Sequence, residues 1–362
     1  MVTPVGGSDL PRRDLRALPK AQLHLHLTGA MRTATLRELA TRAGRPVPPP
    51  LDAEGARTWA EFQRRYDAAR AVIRTTADVT RVVTEAALDD RADGCGWLEV
   101  QVDPTSYAPA LGGLRAALEA VLSAAAAAPV PTGVIVASSW ARPPAHATRL
   151  ARLAAEYAGR GVVGFGLSND ERLGHPADFA PAFRLAADAG LLGTPHAGFY
   201  TGADHVRDCV RHLRPARIGH GTSAATDPAT LDLLARQGIT LEVCPTSYPP
   251  FGVHDLPAVP VATLLDAGVP VAIASDDPLL FGTGLAGQYQ ICRDILGLTD
   301  HQLATAAAHS VQASAAPSDI KDDLHAGIDR WLRHNPDIAS RTRTGSRASS
   351  SANSSKRNGA SS

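Results

Sequence analysis

Along the chain, short apolar runs alternate with longer stretches of helical period. Eight runs are rich in Val, Ile, Leu or small residues: Gln22–Leu27, Trp97–Val102, Gly133–Ser138, Val162–Leu167, Gly193–Ala197, Arg217–Gly219, Ile239–Cys244 and Val269–Ala274. Brief, nearly unbroken apolar runs suit strands covered on both faces of a parallel sheet. Between them, Leu114–Ala127 is almost all Ala and Leu, and Ala147–Gly159 sets Leu150, Leu153, Ala154 and Tyr157 at helical spacing. Pro176–Ala189, His205–Leu213, Pro228–Gln237 and Val261–Ala267 continue the alternation, and Gly190, Gly238 and Gly268 follow where helices should stop. Eight strands alternating with helices predict an α/β protein built as a single (β/α)8 TIM barrel, with an open doubly wound sheet as the alternative. The stretch from Leu36 to Asp93 is too long for a simple strand-to-helix loop. It reads as a helical insertion after the first strand, placed to cover the barrel mouth.

The two ends differ from this body. Residues 340–362 contain Ser, Arg, Ala, Gly, Thr, Asn and Lys and no large apolar side chain, so they are expected to form a disordered tail. Residues 1–14 are expected to be flexible, which leaves a folded domain over 15–335. Lys plus Arg and Asp plus Glu are both 36, so the net charge is zero and no basic field for nucleic acid arises. Aromatic residues are 5% of the chain, which argues against stacking platforms for single strands. No apolar run approaches the roughly 20 residues that span a bilayer. Residues 1–14 carry no apolar core of a secretory signal, and Cys95, Cys209, Cys244 and Cys292 lie far apart. The expectation is a cytoplasmic protein with reduced thiols, no membrane and no nucleic acid among its partners.

The candidate chemistry sits at strand ends. In Gln22-Leu23-His24-Leu25-His26-Leu27 the strand period of two puts His24 and His26 on one face. In a barrel that face is the interior, where two imidazoles suit a metal ion. The same pattern also fits two histidines bonded to carbonyls, or an edge strand. His196, His220 and the pair Asp276-Asp277 follow the fifth, sixth and eighth predicted strands. Barrel enzymes carry their chemistry at that end. Nitrogen and oxygen donors of this kind suit zinc. One aspartate would bind the ion and the other would take a proton or hold substrate; the residues alone do not rank them.

The segment Leu18-Pro19-Lys20-Ala21-Gln22-Leu23-His24-Leu25-His26-Leu27-Thr28-Gly29-Ala30 resembles the opening signature of the adenosine deaminase family. Leu167-Ser168-Asn169-Asp170-Glu171, His196-Ala197-Gly198, Arg217-Ile218-Gly219-His220-Gly221, Glu242-Val243-Cys244-Pro245-Thr246-Ser247 and Ser275-Asp276-Asp277-Pro278 resemble its later motifs in the same order. The resemblance implies one zinc ion held by His24, His26, His196 and Asp276. It implies that His220 and Asp277 orient and activate the water that attacks C6 of a 6-aminopurine, releasing ammonia. It places substrate contacts at His26, Thr28, Asn169 and Asp277. The partner implied is a small purine nucleoside, adenosine or a relative such as aminodeoxyfutalosine.

Four positions depart from that pattern. The family has a glutamate after His-Ala-Gly, which protonates the purine ring nitrogen; Phe199 stands here, followed by Tyr200. Asp170 and Glu171 are the candidate stand-ins. Thr28 replaces an acidic residue, Asn169 a glycine, and Tyr248 an asparagine. Two readings follow. One is a zinc-dependent deaminase with an altered substrate. The other is a catalytically impaired paralogue that keeps the zinc site and binds a purine ligand or a partner.

Overall fold

The computed structural model describes residues 12–47 and 58–334. The tail expected at 340–362 and residues 1–11 lie outside them. Eight strands run in order around one sheet: β1 Lys20–His26, β2 Cys95–Val102, β3 Thr132–Ser139, β4 Val162–Ser168, β5 Leu192–Ala197, β6 Arg217–His220, β7 Thr240–Val243 and β8 Val271–Ile273. Each pairs in parallel with the next. The ring is nearly closed by a single parallel bridge between Leu25 and Asp276, in which His26 N donates to Asp276 O (3.1 Å) and Asp276 N to His24 O (2.9 Å). The protein is thus the predicted (β/α)8 barrel, and all eight predicted runs overlap observed strands.

Helices fill the connections: α1 Thr33–Arg42, α2 Trp59–Arg70, α3 Thr76–Ala92, α4 Ala108–Leu111, α5 Leu114–Ala126, α6 Pro144–Glu156, α7 Pro176–Asp188, α8 Ala203–Leu213, α9 Pro228–Gln237, α10 Val261–Asp266, α11 Pro278–Phe281, α12 Leu285–Asp294, α13 Asp300–Ala313 and α14 Ser318–Arg333. One buried cluster joins the outer faces of the strands to these helices, for example Val134, Val136, Leu150, Phe165 and Phe183. The insertion after β1 supplies α1, α2 and α3. Capping boxes start two of them, Thr58 with Glu61 and Thr75 with Asp78. Residues 13 and 14 are held rather than loose: Arg13 bonds Asp300 (2.9 Å), and Trp331 Nε1 donates to Asp14 O (2.8 Å).

The barrel interior is polar. Gln22, His24 and His26 alternate inward along β1, and Glu99 and Gln101 do so along β2. Arg217 is fully buried between two carboxylates, with its guanidinium on Glu99 and, at 2.6 Å, on Glu242. Gly219 leaves the space these groups occupy, since a Cβ there would lie 2.9 Å from the His24 ring and 3.1 Å from the His196 ring. Among the described residues no helix is long and apolar enough to cross a membrane. All four cysteines are free and buried.

Candidate active site

β1, β5, β6 and the segment after β8 bring the predicted chemistry together at the C-terminal mouth of the barrel. Ring centroids of His24 and His196 are 4.5 Å apart, and those of His24 and His220 are 4.9 Å apart. His26 Nε2 lies 3.3 Å from His196 Nε2 and 3.3 Å from Asp276 Oδ1. His24 Nε2 is 3.6 Å from the same oxygen, and His220 Nε2 is 3.9 Å from Asp276 Oδ2. Asn169, His220 and Asp276 adopt φ of 76°, 66° and 60°, a left-handed conformation uncommon outside glycine. Backbone strain of this kind at three strand ends is what a built site shows.

Neighbours fix the orientation of these groups. His24 Nδ1 donates to Glu242 Oε2 (3.0 Å), which leaves Nε2 for another partner. Ser247 Oγ donates to Asp276 Oδ2 (2.7 Å), and the Gln101 amide lies 3.3 Å from His26 Nδ1. Trp140 Nε1 donates to His196 O (3.0 Å). Burial opposes a charge on His24, but the Asp276 and Glu242 carboxylates outweigh it and lift that imidazole to about 9. Burial, with the nearby His24 charge, holds His220 down at about 3 and His196 well below its ordinary value. Burial raises the carboxyl of Asp277 well above the usual range, and Asp276 adds to it. Burial opposes a charge on Asp276 too, but the His24 and His26 rings close beside it outweigh that cost and pull its carboxyl down.

The donor set fits a metal ion. His24 Nε2, His196 Nδ1, His220 Nδ1 and Asp277 Oδ1 are buried without a hydrogen-bond partner, a costly state for polar atoms in protein alone. His24, His26 and His196 present ligand atoms within 4.8 Å of one another; so do His24, His220 and Asp276, and so do His26, Asp276 and Asp277. Three nitrogens and an oxygen beside a further carboxylate match the preferences of zinc.

The cavity above these groups measures about 490 Å³. Its outer wall comes from α2, where Trp59, Phe62 and Tyr66 share one face, so the insertion does cover the mouth. Phe199, Phe251 and Phe281 continue that wall; Phe62 lies 5.3 Å from Phe251 and 5.7 Å from Phe281 between centroids. The Phe199 ring sits 4.7 Å from His220. Asn169 lines the cavity and donates from Nδ2 to Gln63 Oε1 (3.1 Å). Thr28 is fully buried and bonds the hydroxyl of Tyr107 (2.6 Å); Tyr107 is the member of that pair on the cavity wall. Of the two candidate stand-ins for a glutamate, Asp170 is bound by Arg172 at 2.8 Å through both carboxylate oxygens. Glu171 lines the cavity, and its Oε1 accepts from the N–H groups of Phe199 (2.8 Å), Tyr200 (2.8 Å) and Thr201 (2.7 Å) and from the Thr201 hydroxyl (2.7 Å).

A sequence model of adenosine deaminase matches residues 19–331. The chain belongs to the adenosine deaminase family. It is 52% identical over 333 residues to a putative adenosine/adenine deaminase of Streptomyces virginiae, across 88% of this chain and 98% of that protein. It is 37% identical to the aminodeoxyfutalosine deaminase of Streptomyces coelicolor, across 90% of this chain and 89% of that one. Among solved structures, adenine deaminase from Arthrobacter aurescens superposes with a TM-score of 0.78 at 26% identity, covering 87% of this chain and 99% of that one. The adenosine deaminase family member described here is therefore an aminohydrolase. Sequence reasoning assigned no role to Glu242, Arg217, Glu99 or the α2 aromatic face. Charged residues inside apolar strand runs, and aromatics at positions 59, 62 and 66, were the available signals.

Proposed function

We propose that this chain hydrolyses the 6-amino group of a purine nucleoside, adenosine or a relative with an altered 5′ arm, at one zinc ion held by His24, His26, His196 and Asp276. The observation that carries this reading is the convergence of those four residues with His220 and Asp277 inside an aromatic-walled cavity. Zinc held there acidifies water, supplying a nucleophile at neutral pH. Asp277 stands beside the ligand set with a free, buried Oδ1. It takes the proton from the attacking water and delivers it to the departing amine. His220, kept neutral, holds the developing oxyanion. His26, Asn169 and Asp277 line the space where the purine sits, and Thr28 acts through Tyr107. The likeness to a relative named aminodeoxyfutalosine deaminase supports the option of a substituted 5′ arm.

Phe199 favours a second reading, a chain that keeps the metal and binds a purine without releasing ammonia. Metal content and ammonia release decide between them. Zinc-loaded protein is mixed with adenosine, adenine and aminodeoxyfutalosine, and ammonia is assayed beside a Phe199→Glu variant. Turnover by the natural chain supports the first reading. Purine binding with no ammonia from the natural chain supports the second.

A further inference from the structure

Hydrolysis at an amidine carbon turns a neighbouring ring nitrogen into an amine, and that nitrogen must gain a proton. On the wall beside His220 the carboxyl is Glu171, whose Oε1 is taken by the Phe199 loop and whose Oε2 is buried without a partner; the position after Gly198 carries no acid. Phe199 faces the His220 ring at 4.7 Å, with Tyr248 and Phe251 behind it at 5.6 and 5.5 Å. The Tyr248 hydroxyl is fully buried and accepts the Cys244 N–H (3.2 Å). Glu171 holds the Phe199 loop through Oε1. What this wall offers is ring faces: eight of the chain's Phe, Trp and Tyr residues, which number seven, four and six, line this one cavity. Aromatic faces favour a cation.

We propose that the preferred substrate is a 6-aminopurine already carrying positive charge on its amidine, such as one alkylated at the ring nitrogen next to C6, with Phe199 as the specificity-determining residue under that nitrogen. The proposal rests on the deaminase reading. Such a substrate brings its own charge, so no protein acid is needed. The water oxygen bonds to C6, the C6–N6 bond breaks, and the nitrogen departs. The 1-methyladenosine cation plus water gives neutral 1-methylinosine plus ammonium, so the substrate's charge leaves on the product nitrogen and atoms and charge balance.

The test uses the zinc-loaded full-length chain at pH 7 with 1-methyladenosine, which is cationic there, and adenosine, which is neutral. Ammonia release gives kcat/KM, and calorimetry on metal-free protein gives affinity. The expected result is a kcat/KM for the cation about 10²-fold or more above that for adenosine, and roughly tenfold tighter binding. Phe199→Glu reverses the preference. Phe199→Leu, which keeps an apolar side chain without the ring, lowers affinity for the cation several-fold and does not restore adenosine. Preference of the natural chain for adenosine overturns the proposal and leaves the deaminase reading standing. Loss of that adenosine turnover in Glu171→Gln would then identify the proton source. No ammonia from either compound with the natural chain or Phe199→Glu overturns the deaminase reading and the proposal with it.

Discussion

Gly29 sits directly under Asp277, and its missing side chain can be tested. A Cβ at position 29 would stand 1.8 Å from Asp277 Oδ1, 2.5 Å from its Cγ and 2.7 Å from its Cα. Ordinary carbon contacts need about 3.5 Å, so Gly29→Ala demands a movement of about 1 to 1.5 Å. A change of rotamer does not relieve it, because the Asp277 backbone is itself too close. The segment is pinned on both sides: Asp276 is bridged to β1, and Leu279 N donates to Gly29 O (2.8 Å). The shift therefore falls on Asp277 as a whole, backbone and carboxyl together, while the bridge to β1 holds Asp276 and the histidines near their places. Gly29→Ala is expected to fold with a loss of about 1–3 kcal/mol, to retain zinc, and to lose about 10²-fold in kcat through displacement of one proton-handling group. Ammonia release at saturating substrate, zinc content and thermal unfolding measure the three quantities. A folded, zinc-loaded variant within twofold of the natural kcat would refute the assignment of Asp277.

Glu242→Gln removes the carboxylate shared by His24 and Arg217. Competition with a chelator should show zinc affinity lowered by about 10- to 100-fold, and denaturation a loss of about 3–5 kcal/mol from the half-neutralised buried arginine. Stripping the metal should abolish ammonia release and lower Tm, and zinc should restore both. Asp90 is buried, and burial first, then Asp93, raises its carboxyl to about 8. A folded value above the unfolded one gives stability that is complete below about pH 4 and lost as pH rises toward 8. The slope is at most about 1.4 kcal/mol per pH unit. Denaturation at pH 5 and pH 7.5 should show the natural chain weakening relative to Asp90→Asn, and parallel curves would count against the burial argument.

The fold was legible because parallel barrel strands announce themselves as short apolar runs, and Gly190, Gly238 and Gly268, with φ of 80°, 64° and 76°, closed the helices where expected. The cluster of donors was legible because strand period and strand ends bring His24, His26, His196 and the Asp276-Asp277 pair to one mouth; the choice between the two aspartates came from the family resemblance alone. Long-range pairing was not. Glu99, Arg217 and Glu242 come from three strands, and only closure of the ring brings them together. The cavity's outer wall was missed for a related reason. Position along the chain does not say that Trp59 and Phe62 meet Phe251 and Phe281. Thr28 shows the opposite limit: the resemblance counted it among substrate contacts, and packing buries it behind Tyr107, which lines the cavity.

The bridge between Leu25 and Asp276 joins the two ends of the barrel, so the site is stitched from residues some 250 positions apart. On a ribosome adding about 5–20 residues per second, His24 and His26 emerge roughly 10 to 50 seconds before Asp276. Until β8 arrives, the nascent chain has imidazoles but neither aspartate. Contacts of such sequence separation are also slow to form. Closing the ring and bringing the candidate ligands together are therefore one event, and it waits for β8.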